Sequence, residues 1–205
     1  MVRARDWIRE HYPHAGSDVQ PASLDLRLGK DAIVFDWPWR YRLGWTLLGW
    51  LERLVQFLRV DLHPLTRDRD RGLYGLLVRV RDARVRLSKR KRHVELTDGY
   101  WLKPGEMALL SSSYPVHIPE DSVAFLTLKS SRGREGIDHA LAGFFDNGFH
   151  GDAVFEVYAH AHPVRIYEGM PFAQLVFMAS ELPDRPYDGH YQGQRGPTVS
   201  WSDIA

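Results

Sequence analysis

Four short segments carry residue types able to do chemistry. Lys129-Ser130-Ser131-Arg132-Gly133-Arg134 gathers two hydroxyls and three cations behind an apolar run. Hydroxyls and backbone N–H groups donate, and guanidinium forks hold oxygens in pairs, so the cluster suits phosphate. The same residues also make an ordinary polar loop. Ala142–Gly151 holds an Asp146-Asn147-Gly148 turn among aromatic residues, a setting for a sugar or a base or simply a structural hairpin. Glu156 stands between Val154-Phe155 and Val157. A carboxylate in apolar company suits a general base or proton shuttle, whereas strict alternation would turn it outward. Gly189–Thr198 is polar, rich in amide and guanidinium donors, and reads as a lid over a polyanion or as a loose terminus.

These groups need a scaffold. Leu24, Leu26 and Leu28 alternate with polar residues and predict a strand; Gly29 suggests a turn, and Ala32–Phe35 a second strand. Residues 5–11 predict a short helix stopping before Pro13. Residues 44–59 have helical spacing in Leu47, Leu51, Leu54, Val55 and Leu58, and predict a helix packed on the sheet or on a neighbouring subunit. Residues 76–96 alternate again, with a basic hairpin tip at 88–93. From residue 100 onward, turn signals at Lys103-Pro104-Gly105, Ile118-Pro119-Glu120, Asp146-Asn147-Gly148 and Glu168-Gly169 separate candidate strands at 107–110, 123–128, 153–158, 164–167 and 173–178. The pattern predicts a mostly β meander or jelly roll, a single domain over 1–205 with a helical insertion near 44–59.

Composition narrows the function. With 205 residues, 44% of them hydrophobic, the chain has enough apolar material for a core. A net charge of +1 lacks the basic excess of a dedicated nucleic-acid binder, so the 88–93 run reads as a solvated strand edge and no nucleic-acid partner is expected. The absence of cysteine removes disulfides, thiol nucleophiles and thiolate zinc sites. No run of about 18 apolar residues predicts a membrane span, and Met1–His11 lacks the apolar core of a signal peptide. A cytoplasmic protein is the expectation.

Together the segments resemble the dCTP deaminase branch of the dUTPase superfamily. The resemblance runs through VQPASLDLRLG (19–29), LKPGE (102–106), KSSRGREG (129–136), AGFFDNGFHGDAVFE (142–156), EGMPFAQLVF (168–177) and YQGQRGPT (191–198). It implies a distorted jelly-roll, dUTPase-like β-barrel and a homotrimer with active sites between subunits. It implies that Glu156 activates the water attacking C4 of cytosine and hands the proton to ammonia, with Ser130 and Arg134 positioning water and base. Ser131 and Arg132 are the implied triphosphate contacts, Asp146 lies near the deoxyribose, and Tyr191 and Gln194 close over the nucleotide. Zinc nucleobase deaminases need His/Cys/Cys ligands, so the chemistry expected here is metal-free at the base, with Mg2+ only as counterion of the triphosphate. Three departures stand out. The stretch 137–141 is one residue shorter than the family's pattern, with Asp138 and His139 in place of part of a valine–histidine pair. His190 replaces a lysine, and Asn147 a proline. The leading expectation is deamination of dCTP to dUTP and ammonia. The alternatives are a dUTP diphosphatase, a bifunctional deaminase–diphosphatase, and a non-catalytic nucleotide-sensing regulator.

Overall fold

The computed structural model describes residues 4–35, 50, 91–140 and 142–203. The helix expected at 44–59 and the strands expected at 76–87 lie outside the described residues, Trp50 aside. By contacts the chain divides into Met1–Val34 with His93–Ala205, and Phe35–Arg92; the candidate site lies in the first unit.

The first helix, α1 (Ala4–His11), carries Asp6 in its first turn and Arg9 and His11 in its last, which complements the helix dipole. It ends before Pro13 as expected. Ile8 and Tyr12 are buried beneath it. The Tyr12 hydroxyl donates to the His117 carbonyl and accepts from the His117 N–H at 3.1 Å, which pins the N-terminal segment to the sheet.

Strand β1 (Leu24–Phe35) is continuous, so Gly29 is not the turn that the sequence suggests. The reason is crowding. A Cβ at Gly29 would lie 3.0 Å from Ser111 Oγ and 3.1 Å from the Ser112 carbonyl oxygen, so glycine here permits close approach of two strands. The remaining elements are β2 (Lys91–Glu95), β3 (Tyr100–Leu102), β4 (Met107–His117), β5 (Ser122–Leu128), α2 (Ser130–Arg134), β6 (Ile137–His139), β7 (Phe144–Phe145), β8 (His150–Ala159), β9 (Val164–Ile166) and β10 (Pro171–Ala179). Lys91–His93, the described part of the basic run, is therefore strand and not hairpin tip.

Among the described residues, one sheet has the order β6-β8-β4-β1-β10-β5-β7, with β2 also on β1, while β3 pairs with β9. The fold is mostly β and of the dUTPase-like jelly-roll kind. Leucines 24, 26 and 28, Leu110, Phe155 and Phe172 are buried in its core, and the Phe155 and Phe172 rings sit 5.4 Å apart. None of the described helices is long and apolar enough to cross a membrane.

Candidate active site

The Ser130–Arg134 segment is a five-residue helix, not the loop that its composition suggests. Lys129 precedes it in extended conformation. Its N–H donates to the Phe172 carbonyl at 2.9 Å, and its ammonium lies 2.5 Å from Asp25. Asp25 also accepts from Gln20 and Gln174, each at 3.1 Å. The entry to α2 is thus tied to both β1 and β10. Ser130, Ser131 and Arg134 are exposed, while Arg132 pairs with Glu135 at 2.7 Å. Gly136, at φ 80°, ends the helix and turns the chain into β6.

On β8 the alternation is regular. Gly151, Ala153, Phe155, Val157 and Ala159 are buried, and Asp152, Val154, Glu156 and Tyr158 are half-buried on the other positions. Glu156 lies opposite Leu109 on β4, and its backbone carbonyl accepts from Ala140 at 2.9 Å. Its side chain retains 26% of its exposure. It takes the non-core position that alternation predicts, but is only half-exposed there.

Among the described residues, one Glu156 carboxylate oxygen is buried without a hydrogen-bond partner, and so are both ring nitrogens of His139. His139 Nε2 and Glu156 Oε2 are 3.6 Å apart, and the imidazole is 3% exposed. That separation is too long for a direct hydrogen bond. Leaving such groups unpartnered costs about 1–3 kcal/mol each, so they mark a place where a missing partner belongs. Sequence reasoning treated His139 only as a departure from a pattern. The usable signal was periodicity: Ile137 and His139 share a parity on a short strand, and both are buried.

Asp146 is exposed in the turn between β7 and β8, where its carbonyl accepts from Phe149 at 3.2 Å. Asn147 ties this turn down, donating to the Glu120 carbonyl at 2.8 Å and the Ser180 hydroxyl at 2.6 Å. Glu156 lies six strand positions beyond His150, about 20 Å. One copy of the chain therefore holds Asp146 before the first residue of β8 and Glu156 in the second half of that strand.

The tail is an ordered strap on the first half of β8. Asp152 N–H donates to the Gln194 carbonyl at 3.0 Å, and the Gln194 side-chain amide returns a bond to the Asp152 carbonyl at 2.8 Å. Gly193 donates to the His150 carbonyl at 2.7 Å, and Gly196 to the Asp152 carboxylate at 2.7 Å. The Tyr191 hydroxyl accepts from Trp201 N–H at 3.2 Å, and the rings of His190 and Trp201 stack 4.2 Å apart. Tyr191 and Gln194 thus sit near the Asp146 end of β8, away from their own Glu156.

A jelly-roll sheet of this order, with a hydroxyl- and guanidinium-bearing helix leading into a strand beside a half-buried glutamate, defines a dUTPase-like fold. The chain belongs to the dCTP deaminase-like family, whose profile matches residues 2–180. It is similar to a protein named dCTP deaminase, dUMP-forming, from Persephonella marina, 31% identical over 187 residues, covering 89% of this chain and 82% of that one. A protein of the same name from Sulfurihydrogenibium sp. is 38% identical over 184 residues, with 89% and 82% covered. The crystal structure of 2'-deoxycytidine 5'-triphosphate deaminase from Agrobacterium tumefaciens shares the fold, with a TM-score of 0.55 and 22% identity. That match covers 86% of this chain but only 47% of the solved chain. The protein is accordingly an enzyme of the deaminase-like hydrolase class, in nucleotide metabolism.

Proposed function

We propose that the protein deaminates dCTP hydrolytically and then cleaves the triphosphate, giving dUMP, ammonia and pyrophosphate at the expense of two waters. The observation that carries the deamination is the half-buried Glu156 carboxylate, its Oε2 buried and unpartnered among the described residues while the side chain keeps 26% of its exposure. Glu156 takes a proton from water as that water attacks C4, and passes it to the departing ammonia. Ser130 and Arg134 orient the water and the base, Ser131 and Arg132 receive the triphosphate, Asp146 faces the deoxyribose, and Tyr191 and Gln194 cover the nucleotide. Anchoring of the entry to α2 by the Lys129–Asp25 ion pair and the Lys129 N–H bond to Phe172 supports its use as a phosphate cradle. The sequence ranked dUTP first as product. The name borne by the two relatives matched over 89% of this chain, dUMP-forming, favours the bifunctional reading.

Magnesium belongs to the substrate, as counterion of the triphosphate. Among the described residues no three His, Asp or Glu side chains gather into a metal-binding group. The separation of Asp146 from Glu156 supports a site completed by a second copy. An apolar row is available for that contact: Phe144 and Phe125 are cross-strand neighbours, as are Phe125 and Val176, and all three are exposed. A cytoplasmic homotrimer is the assembly we assign.

The test is incubation with dCTP and separately with dUTP, following ammonia and pyrophosphate. Both products from dCTP support the proposal. Ammonia alone reduces it to a deaminase, and pyrophosphate from dUTP without ammonia from dCTP makes it a diphosphatase. Ammonia release that survives Glu156→Gln removes the assigned proton shuttle.

A further inference from the structure

We propose that His139 is a positioning residue for Glu156, its Nε2–H holding one carboxylate oxygen so that the other faces the attacking water. The inference rests on the proposed role of Glu156. Its own support is geometric. The imidazole is 3% exposed, its Nε2 lies 3.6 Å from Glu156 Oε2, and among the described residues neither ring nitrogen nor that oxygen has any other partner. A closure of about 0.7 Å brings the pair to charge-assisted hydrogen-bond length.

The backbone around the ring is clamped on both sides. The His139 N–H donates to the Asp138 carboxylate at 2.8 Å, and Asp138 in turn reaches His160 at 3.2 Å. The next residue, Ala140, donates its N–H to the Glu156 carbonyl at 2.9 Å. Strand β6 also pairs with β8 from Ile137↔Ala159 to His139↔Val157. The imidazole is therefore presented to Glu156 by the same ladder that carries the glutamate. A carboxylate that must accept and return one proton gains from having its rotamer fixed, since a displacement of about 1 Å in a reacting group costs about 10²-fold in rate.

His139→Leu, which keeps the bulk and removes the donor, should lower kcat for ammonia release by about 10²-fold with KM little changed. His139→Gln, whose amide nitrogen falls near Nε2, should recover most of that loss. A Gln variant as slow as the Leu variant, or a Leu variant with wild-type kcat, overturns the proposal. A second measurement is independent of turnover. Nitrogen-15 NMR of the ring should show the Nε2–H tautomer, with a resonance that moves in Glu156→Gln; an Nδ1–H tautomer, or a resonance indifferent to Glu156→Gln, overturns it. Ammonia release that survives Glu156→Gln overturns instead the function on which the proposal stands. An inactive Glu156→Gln beside a fully active His139→Leu overturns the role of His139 alone.

Discussion

The ammonium of Lys129 lies 2.5 Å from the carboxylate of Asp25, whose side chain is only 8% exposed. Asp25 sits on β1, within the segment that resembles the family near its N-terminus, and Lys129 opens α2. The pair therefore joins two stretches a hundred residues apart in the chain, and it does so at the base of the serine–arginine helix. Removing one member strands the other. Asp25→Ala should destabilise the protein by about 3–5 kcal/mol, the range for breaking a buried ion pair, and should weaken nucleotide binding because α2 loses its anchor. The double variant Asp25→Leu/Lys129→Met should be far closer to wild type in stability, since it buries no lone charge. Urea midpoints of the three proteins check this. A double variant as unstable as Asp25→Ala refutes the electrostatic account.

The tail is seated by a glycine. A Cβ at Gly151 would lie 3.0 Å from the Gln194 nitrogen and 3.1 Å from its carbonyl oxygen. Gly151→Ala should therefore push the strap off β8 and break the Asp152–Gln194 bonds. Limited proteolysis within 185–203 should accelerate, and KM for nucleotide should rise more than kcat falls if Tyr191 and Gln194 cover the substrate. Proteolysis at the wild-type rate would show that the strap yields without detaching.

His117 makes stability depend on pH. Its pKa is lowered from the ordinary 6.5, first by desolvation, then by the neighbouring charges of His150 and His11, with Glu120 opposing. A histidine whose folded pKa is depressed is protonated sooner in the unfolded chain. Its contribution is therefore neutral above 6.5, and stability declines as pH falls below 6.5, levelling off below the folded value. Urea midpoints at pH 7.5 and pH 5 should differ in that direction, and the difference should shrink in His117→Gln. An unchanged difference assigns the effect to other groups.

Much of the scaffold is legible in the sequence, because period-2 burial and turn residues are local. Leu24, Leu26 and Leu28 alternate and are buried, and the turns at Gly105, Gly148 and Gly169 fall where their residues indicate, each at positive φ. Gly29 misleads because a close approach to Ser111 and a turn demand the same residue. The helix at Ser130–Arg134 is hidden by its low-propensity Ser-Ser and Gly; anchoring through Asp25, a tertiary effect, overrides propensity. Glu156 is recognisable from its company. His139 is not, because its meaning depends on a neighbour seventeen residues away across a strand pair, and single-chain spacing carries no such information.

The distance between Asp146 and Glu156 leads to a test of assembly. About 20 Å of strand runs from His150, which follows the Asp146 turn, to Glu156, and we infer that a site using both residues draws them from different copies. Glu156→Gln and Asp146→Asn should each be inactive alone. Mixed under conditions that exchange subunits, they should recover activity, because some interfaces then pair an intact Glu156 with an intact Asp146. For random mixing in equal amounts the recovery is about a quarter of wild type, the chance that each of two chains supplies the intact residue needed from it. The exposed Phe125–Phe144–Val176 row gives the control. Phe144 is 51% exposed in the single chain, and Phe144→Lys should lower the assembled mass in light scattering and abolish the recovery. If the two inactive variants never complement while the wild type is a trimer that exchanges, each chain works with its own residues, and Asp146 has no part in the same site as Glu156.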